Sequence, residues 1–144
     1  MGSVDEIVDD CLAARIRLIG RALTGLYDGA LSGHGLTIAQ LNLLAALGAV
    51  GPCPPSRLGE VLQLERSTVS RNLTLLVGHG WIEATSADAK GMRTVALTAA
   101  GRAKVESVMP AWRQAQREAA ELLGPAGVTA VREMAVGLGY PPGA

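Results

Sequence analysis

Residues 64–81 read LERSTVSRNLTLLVGHGW. Ser67, Thr68, Ser70, Arg71 and Thr74 crowd the first turns of what then becomes a leucine-rich helix. Hydroxyls are short donors and acceptors, and an arginine is a rigid fork of donors. Together they suit phosphate oxygens and the edges of bases. The periodicity separates two faces. With Val69 as the inward direction and about 100° per residue, Leu73, Leu76 and Val77 fall within about 80° of it. Ser67, Arg71 and Thr74 fall within about 40° of the opposite direction. Ser70 lies on the flank. A solvated helix start with capping hydroxyls explains the same residues more plainly. Such a helix usually carries Glu and Lys on its outer face, and here no carboxylate follows Glu65.

Composition limits what this face can serve. The chain has 144 residues, enough for one domain with one core, and is 49% hydrophobic. There are two Trp, two Tyr and no Phe, so Leu, Val, Ile and Ala must fill the interior, which favours helices. The formal net charge is zero, which is not the global mark of a nucleic-acid binder. The distribution is uneven. Residues 57–104 hold seven bases (Arg57, Arg66, Arg71, Lys90, Arg93, Arg102, Lys104) against four acids. Residues 5–10 hold four acids. Two cysteines, Cys11 and Cys53, are too few for a disulfide framework, and no metal-ligand spacing or cofactor motif is present. No apolar run is long enough to span a membrane, and the acidic start does not suit a signal peptide, so a cytoplasmic protein is expected.

The elements that must hold the polar face follow in order. Residues 4–28 read as one helix with two apolar stripes, wider than one side of a small domain needs. Such a helix is either central to its own core or shared with a second subunit. Residues 31–36 are a loop. Thr37 and Gln40 form a capping box for a helix to about Leu47. Residues 48–55, GAVGPCPP, read as turn or loop. A short helix, 56–62, then a break at 63–65, lead to the helix at 66–79, with Gly80 as terminator. Residues 81–85 and 93–97 are short β runs around a turn at Gly91. Thr98 caps a long helix to about Leu123, in which Pro110 should make a kink or break. Gly124-Pro125 ends it, a last helix runs to about Leu138, and the GYPPGA tail should fray. The fold class is mainly α with a small β-hairpin. A short helix, tight turn, second helix and hairpin is the order of a winged helix-turn-helix, whose second helix enters the major groove of double-stranded DNA.

LTIAQLNLLAAL, SRLGEVLQLERSTVSRNLTLLVGHGWIE and DAKGMRTVALTAAG together resemble the MarR (multiple antibiotic resistance regulator) family of bacterial transcription factors. The resemblance covers residues 36–101 by motif and nearly the whole chain by organisation. It implies a winged helix-turn-helix region at 36–101, flanked by dimerisation helices at 4–30 and 102–139. It implies a homodimer on a palindromic operator, usually a repressor released by a small ligand or an oxidant. Its recognition-helix residues fall on Arg66, Ser67, Thr68, Ser70, Arg71 and Thr74, and Arg57 in the helix before is a further candidate contact. In the wing, the family's Asp-x-Arg falls on Asp88-Ala89-Lys90. Asp88 would hold the base of the wing. Lys stands where Arg is usual and Arg93 lies three residues on, so either cation could make the contact. Gln63 stands where Gly is common.

Two switches are open on the sequence. Cys11 is placed broadly like the reactive cysteine of organic hydroperoxide sensors, and Arg15 is one turn away to stabilise a thiolate, while a small apolar residue at a dimer contact is the plainer reading. Cys53, in a Pro-rich loop, should be exposed but has no activating base. Alternatively, a small aromatic or phenolic effector would sit between the winged domain and the dimerisation helices, in a cleft lined by Tyr27, His34, Met109, Trp112 and Arg113, of which Trp112 and Met109 could equally be core or interface packing. No nucleophile elbow, metalloprotease motif or phosphate loop is present, so an enzyme is not expected. The rival function is a winged-helix module for protein contacts without DNA, which zero net charge favours and the hydroxyl-arginine face opposes.

Overall fold

The computed structural model describes residues 2–141. Its elements are α1 (Ser3–Asp10), α2 (Leu12–Leu31), a 3-10 turn (Ser32–His34), α3 (Ile38–Val50), α4 (Pro55–Leu62), α5 (Arg66–Gly78), β1 (Ile82–Ala84), β2 (Val95–Leu97) and α6 (Ala99–Gly137).

The expected first helix is two. The chain leaves helical geometry at Cys11, with ψ of 110°. Asp5 and Asp9, and Glu6 and Asp10, are like charges four residues apart, which weakens α1. The Arg15 guanidinium donates to the carbonyls of Cys11 and Asp9, which stabilises the break. Among the described residues the first half of the double apolar stripe has no partner. Val4, Ile7, Val8, Leu12, Ile16 and Leu18 are all at least 60% exposed. Only the second half of α2 packs, against α6, where the Tyr27 hydroxyl donates to Gln116.

The core lies lower, around α3. That helix starts on the expected capping box, with Thr37 Oγ1 accepting from the Gln40 N–H at 3.2 Å. Asp28 from α2 accepts from the Ile38 N–H at 2.7 Å and satisfies another free donor of the helix start. Leu43, Leu44 and Leu47 of α3, Leu58 of α4, Leu76 of α5, Ile82 of β1 and Val108 of α6 are fully buried together. Truncating one of these leucines to Ala would cost about 2–5 kcal/mol.

Residues 48–55 are not simply loop. α3 continues to Val50, and Cys53 pairs with β2 in both directions: Cys53 N–H to Val95 O at 3.1 Å, and Val95 N–H to Cys53 O at 2.9 Å. The flanking prolines disguise this pairing, because they cannot donate while the cysteine between them can. Cys53 is therefore buried and not exposed, and burial raises its thiol pKa, against a smaller lowering by Arg57.

Pro110 does not break α6. Only Gly124 departs from helical geometry there, with φ 70° and ψ 167°. Pro110 and Glu106 both lie on the exposed side, where water serves the carbonyl the proline leaves unpaired. At Gly124 the following Pro125 excludes helical ψ, and glycine accepts the positive φ. The arm beyond, 125–137, ends in an ordered turn. Gly139 has φ 89°, its N–H reaches Val136 O at 3.0 Å, and the Tyr140 N–H reaches Ala135 O at 2.9 Å. That is a Schellman closure, so the tail is not frayed at Gly139 and Tyr140. The rest of that expectation, residues 142–144, lies outside the described residues.

Candidate nucleic-acid interface

Recognition chemistry collects on α5 and the hairpin. α4 begins with Pro55 at a position where its missing N–H costs nothing, and ends at Gln63 in left-handed geometry, φ 52°. This turn is tight: the Leu64 N–H donates to Gly59 O at 2.9 Å, and a Cβ on Gly59 would lie 3.2 Å from Leu64 O. α5 then leaves with Val69, Leu73 and Leu76 buried, as the periodicity requires. Val77 departs from that expectation at 40% exposure, because it sits at the edge of the apolar arc and lines the space beside the hairpin.

Ser67, Ser70, Arg71 and Thr74 are exposed, and Thr68 is half-buried. Local bonds orient several of them. Arg71 Nη2 lies 3.5 Å from Thr68 Oγ1 as donor, and Asn72 Nδ2 donates to Thr68 O at 3.2 Å. Thr74 Oγ1 donates to Ser70 O at 3.0 Å, which leaves its lone pairs free to accept. α5 itself has no carboxylate.

The hairpin pairs Ile82 with Leu97, Glu83 with Ala96 and Ala84 with Val95. Thr85 and Thr94 extend it, with their hydroxyls 2.8 Å apart. Asp88 fixes the tip: its Oδ1 accepts from the N–H groups of Lys90 at 2.8 Å and Met92 at 2.9 Å, and Gly91 turns the chain at φ 78°. Asp88 therefore holds the tip of the wing, where the resemblance assigned it the base. Lys90 and Arg93 project from this turn, both exposed. The base of the wing is held by Thr98, whose Oγ1 donates to Gly80 O at 2.6 Å and accepts from the Gly101 N–H at 2.9 Å. Trp81 stacks on His79 at 4.3 Å between ring centroids, with Lys104 Nζ 5.0 Å from its ring.

Between α5 and the wing lies an open concavity of about 1490 Å³. It gathers Arg66, Ser67, Ser70 and Thr74 on one side and Arg93 on the other, with Glu60 and Glu65 at the α4 end. Arg71, Thr68, Lys90, Asp88 and Arg57 lie outside it. Arg57 is exposed and pairs with Glu60 at 3.4 Å, so its charge is partly answered within α4. The sequence reading missed Met92, which lines the same concavity and is 53% exposed. Its position beside the turn glycine was the available signal.

The sequence model of the MarR family matches residues 34–91. Among solved structures, the Mycobacterium tuberculosis transcriptional regulator MosR, in complex with DNA, is similar: 31% identity, 90% of this chain and 94% of that one covered, TM-score 0.76. The chain belongs to the MarR family. It is a DNA-binding transcriptional regulator with a winged helix. A probable transcriptional regulator from Pseudomonas aeruginosa is 29% identical, with 91% and 98% of the two chains covered and a TM-score of 0.79. A mutant of Escherichia coli MarR complexed with operator DNA shares the fold at 22% identity, 92% and 96% coverage and a TM-score of 0.78. No match is found among curated proteins.

Of the five cleft residues, only Tyr27 lines the space of about 340 Å³ between α2 and α6. Burial raises the Tyr27 pKa. Trp112 packs against the core, Arg113 is exposed, and His34 and Met109 are half-buried elsewhere. Cys11 is half-buried at the break between α1 and α2, and the Arg15 guanidinium meets main-chain carbonyls there in place of the sulfur. Among the described residues no cluster of three metal-ligating side chains occurs, and no single helix is long and apolar enough to cross a membrane.

Proposed function

We propose that this regulator binds a two-fold symmetric DNA site as a homodimer, with α5 in the major groove and the wing against the flanking backbone or minor groove. The observation that carries this reading is the exposed acid-free face of α5, which lines one wall of a concavity that Arg93 closes from the wing. Ser67, Ser70, Arg71 and Thr74 would read base edges. Arg66, Thr68, Lys90, Arg93 and Arg57 would hold phosphates, and Asp88 would keep the wing tip in shape.

Support for the dimer comes from the bare apolar faces. Besides those of α1 and α2, Leu122, Met134 and Val136 on α6 and Leu138 just past its end are at least 53% exposed. Apolar surface on this scale marks an interface, and a second copy of the same segments covers it. In the same reading the protein acts in the cytoplasm as a repressor, released by an effector. What favours an effector is the space between α2 and α6, walled by Leu23, Leu123 and Val128 with Arg117 and Arg132 at hand. That lining suits a small aromatic or phenolic anion.

The test is selection of genomic fragments by the purified protein, followed by binding of the recovered fragment to wild type and Arg71→Ala. Wild type should bind as a dimer to an inverted repeat. Arg71→Ala should stay dimeric and lose about 1–3 kcal/mol of binding. Equal binding by Arg71→Ala would show that this face of α5 does not read the DNA.

A further inference from the structure

The turn that launches the recognition helix is tied to the far end of the chain. Among the described residues Gln63 is the one non-glycine with a positive φ, 52°, a conformation that side chains rarely adopt without compensation. Its amide Nε2 donates to the Leu138 carbonyl at 2.6 Å, across 75 residues of sequence. The acceptor is presented by the closure of α6. The N–H groups of Leu138, Gly139 and Tyr140 take the carbonyls of Met134, Ala135 and Val136, which leaves the Leu138 carbonyl for Gln63. Gln63 lies three residues before Arg66, where the recognition helix begins. Leu138 ends the kinked arm that exposes Met134 and Val136.

We propose that the Gln63–Leu138 hydrogen bond is a strut between the recognition helix and the C-terminal arm, and that it sets the half-site spacing the dimer accepts. The proposal rests on the reading of a DNA-binding dimer given above. In a dimer the arms fix the two-fold axis, and the recognition helices must fall one helical turn of DNA apart, or a multiple of it. Without the strut, α5 is joined to the arm through its packing on α4, which sits on α3, and through the hairpin, which enters α6 at its opposite end. With it, the first residues of α5 are referenced directly to the interface. A glycine would relax the turn but could not make this bond, which gives a physical reason for a glutamine at a left-handed position.

The experiment compares wild type, Gln63→Gly and Gln63→Glu on the selected operator and on duplexes with the half-site spacing lengthened or shortened by one base pair. Gln63→Gly should keep the dimer and its thermal stability, because glycine is at ease at this φ. Its preference for the natural spacing should fall about three-fold or more, the scale of one lost hydrogen bond. Gln63→Glu should lose preference likewise, because a carboxylate accepts and does not donate. A spacing profile in Gln63→Gly that matches wild type would overturn the strut. So would a uniform loss of affinity at every spacing, or a wild type with no spacing preference. A wild type that binds no DNA at all would overturn the dimer reading itself, and the strut with it.

Discussion

At Gly101 the base of the wing and α6 approach closely, and Gly101→Ala sets two effects of opposite sign against each other. Helix propensity favours alanine by about 1 kcal/mol inside a helix. Packing opposes it. A Cβ there would lie 2.0 Å from the Trp81 carbonyl oxygen, 2.9 Å from its carbon and 2.7 Å from Leu97 Cδ1. Two of these contacts are backbone and cannot rotate away, so α6 and the base of the hairpin must separate. Overpacking of this kind costs about 1–3 kcal/mol. Separation also stretches the Thr98 N–H to Trp81 O bond, now 3.1 Å, worth about 1 kcal/mol more. The net expectation is destabilisation by about 1–3 kcal/mol, or a fall in Tm of roughly 3–10 °C for a chain of this size. Thermal unfolding at fixed protein concentration reads it, since a dimer's Tm depends on concentration. A Tm equal to or above that of wild type, as propensity alone would give, refutes the packing argument.

Other expectations follow from separate parts of the molecule. Ile16→Asp, on the bare stripe of α2, should yield a folded monomer by sedimentation, and a stable dimer of that variant would place the interface elsewhere. Lys90→Ala should weaken binding by a similar factor on all sequences, while Arg71→Ala should also relax base preference at one position, measured on a panel of single-substituted sites. Cys53, buried and with its thiol pKa raised, should resist alkylation until the protein unfolds, whereas half-buried Cys11 should react first, as read by mass spectrometry. The same burial gives stability a sign at alkaline pH. Cys53 and Tyr27 are both shifted up from ordinary values of 9.0 and 10.0, so the folded state keeps protons that the unfolded state loses. Their contribution is present below those values and disappears as pH rises through and above them. Denaturant midpoints that hold steady or rise from pH 9 upward would contradict this.

Much of the architecture was legible because it rests on local chemistry. The Thr37–Gln40 box, the caps at Thr98 and Gly80, the glycine turn in the wing and the apolar stripe of α5 each write their own signature within a few residues. What escaped depended on distant partners. Cys53 reads as loop because its pairing strand lies some forty residues on. Pro110 reads as a break because only the fold shows that its side of α6 faces water. The interruption at Cys11 depends on where the Arg15 side chain goes. The site divides in the same way. The polar face of α5 follows from helical phase, whereas the concavity that joins Arg66 to Arg93 and Met92 is created by the return of the hairpin, and the Gln63–Leu138 bond spans most of the chain. The cleft residues were placed between the winged domain and the flanking helices, whereas the space that Tyr27 lines is formed by α2 and α6, segments far apart in sequence.

The most direct test of the central claim is the salt dependence of binding to random duplex DNA by the purified full chain. Arg57, Arg66, Lys90 and Arg93, the cations placed against phosphates, offer four exposed charges per protomer, and two protomers double that number. At about 0.9 per neutralised phosphate, log K should fall against log salt with a slope on the order of −7. A steep slope near that value is the predicted result. A slope near zero, or no binding at low salt, would contradict the assignment of α5 and the wing as a DNA interface.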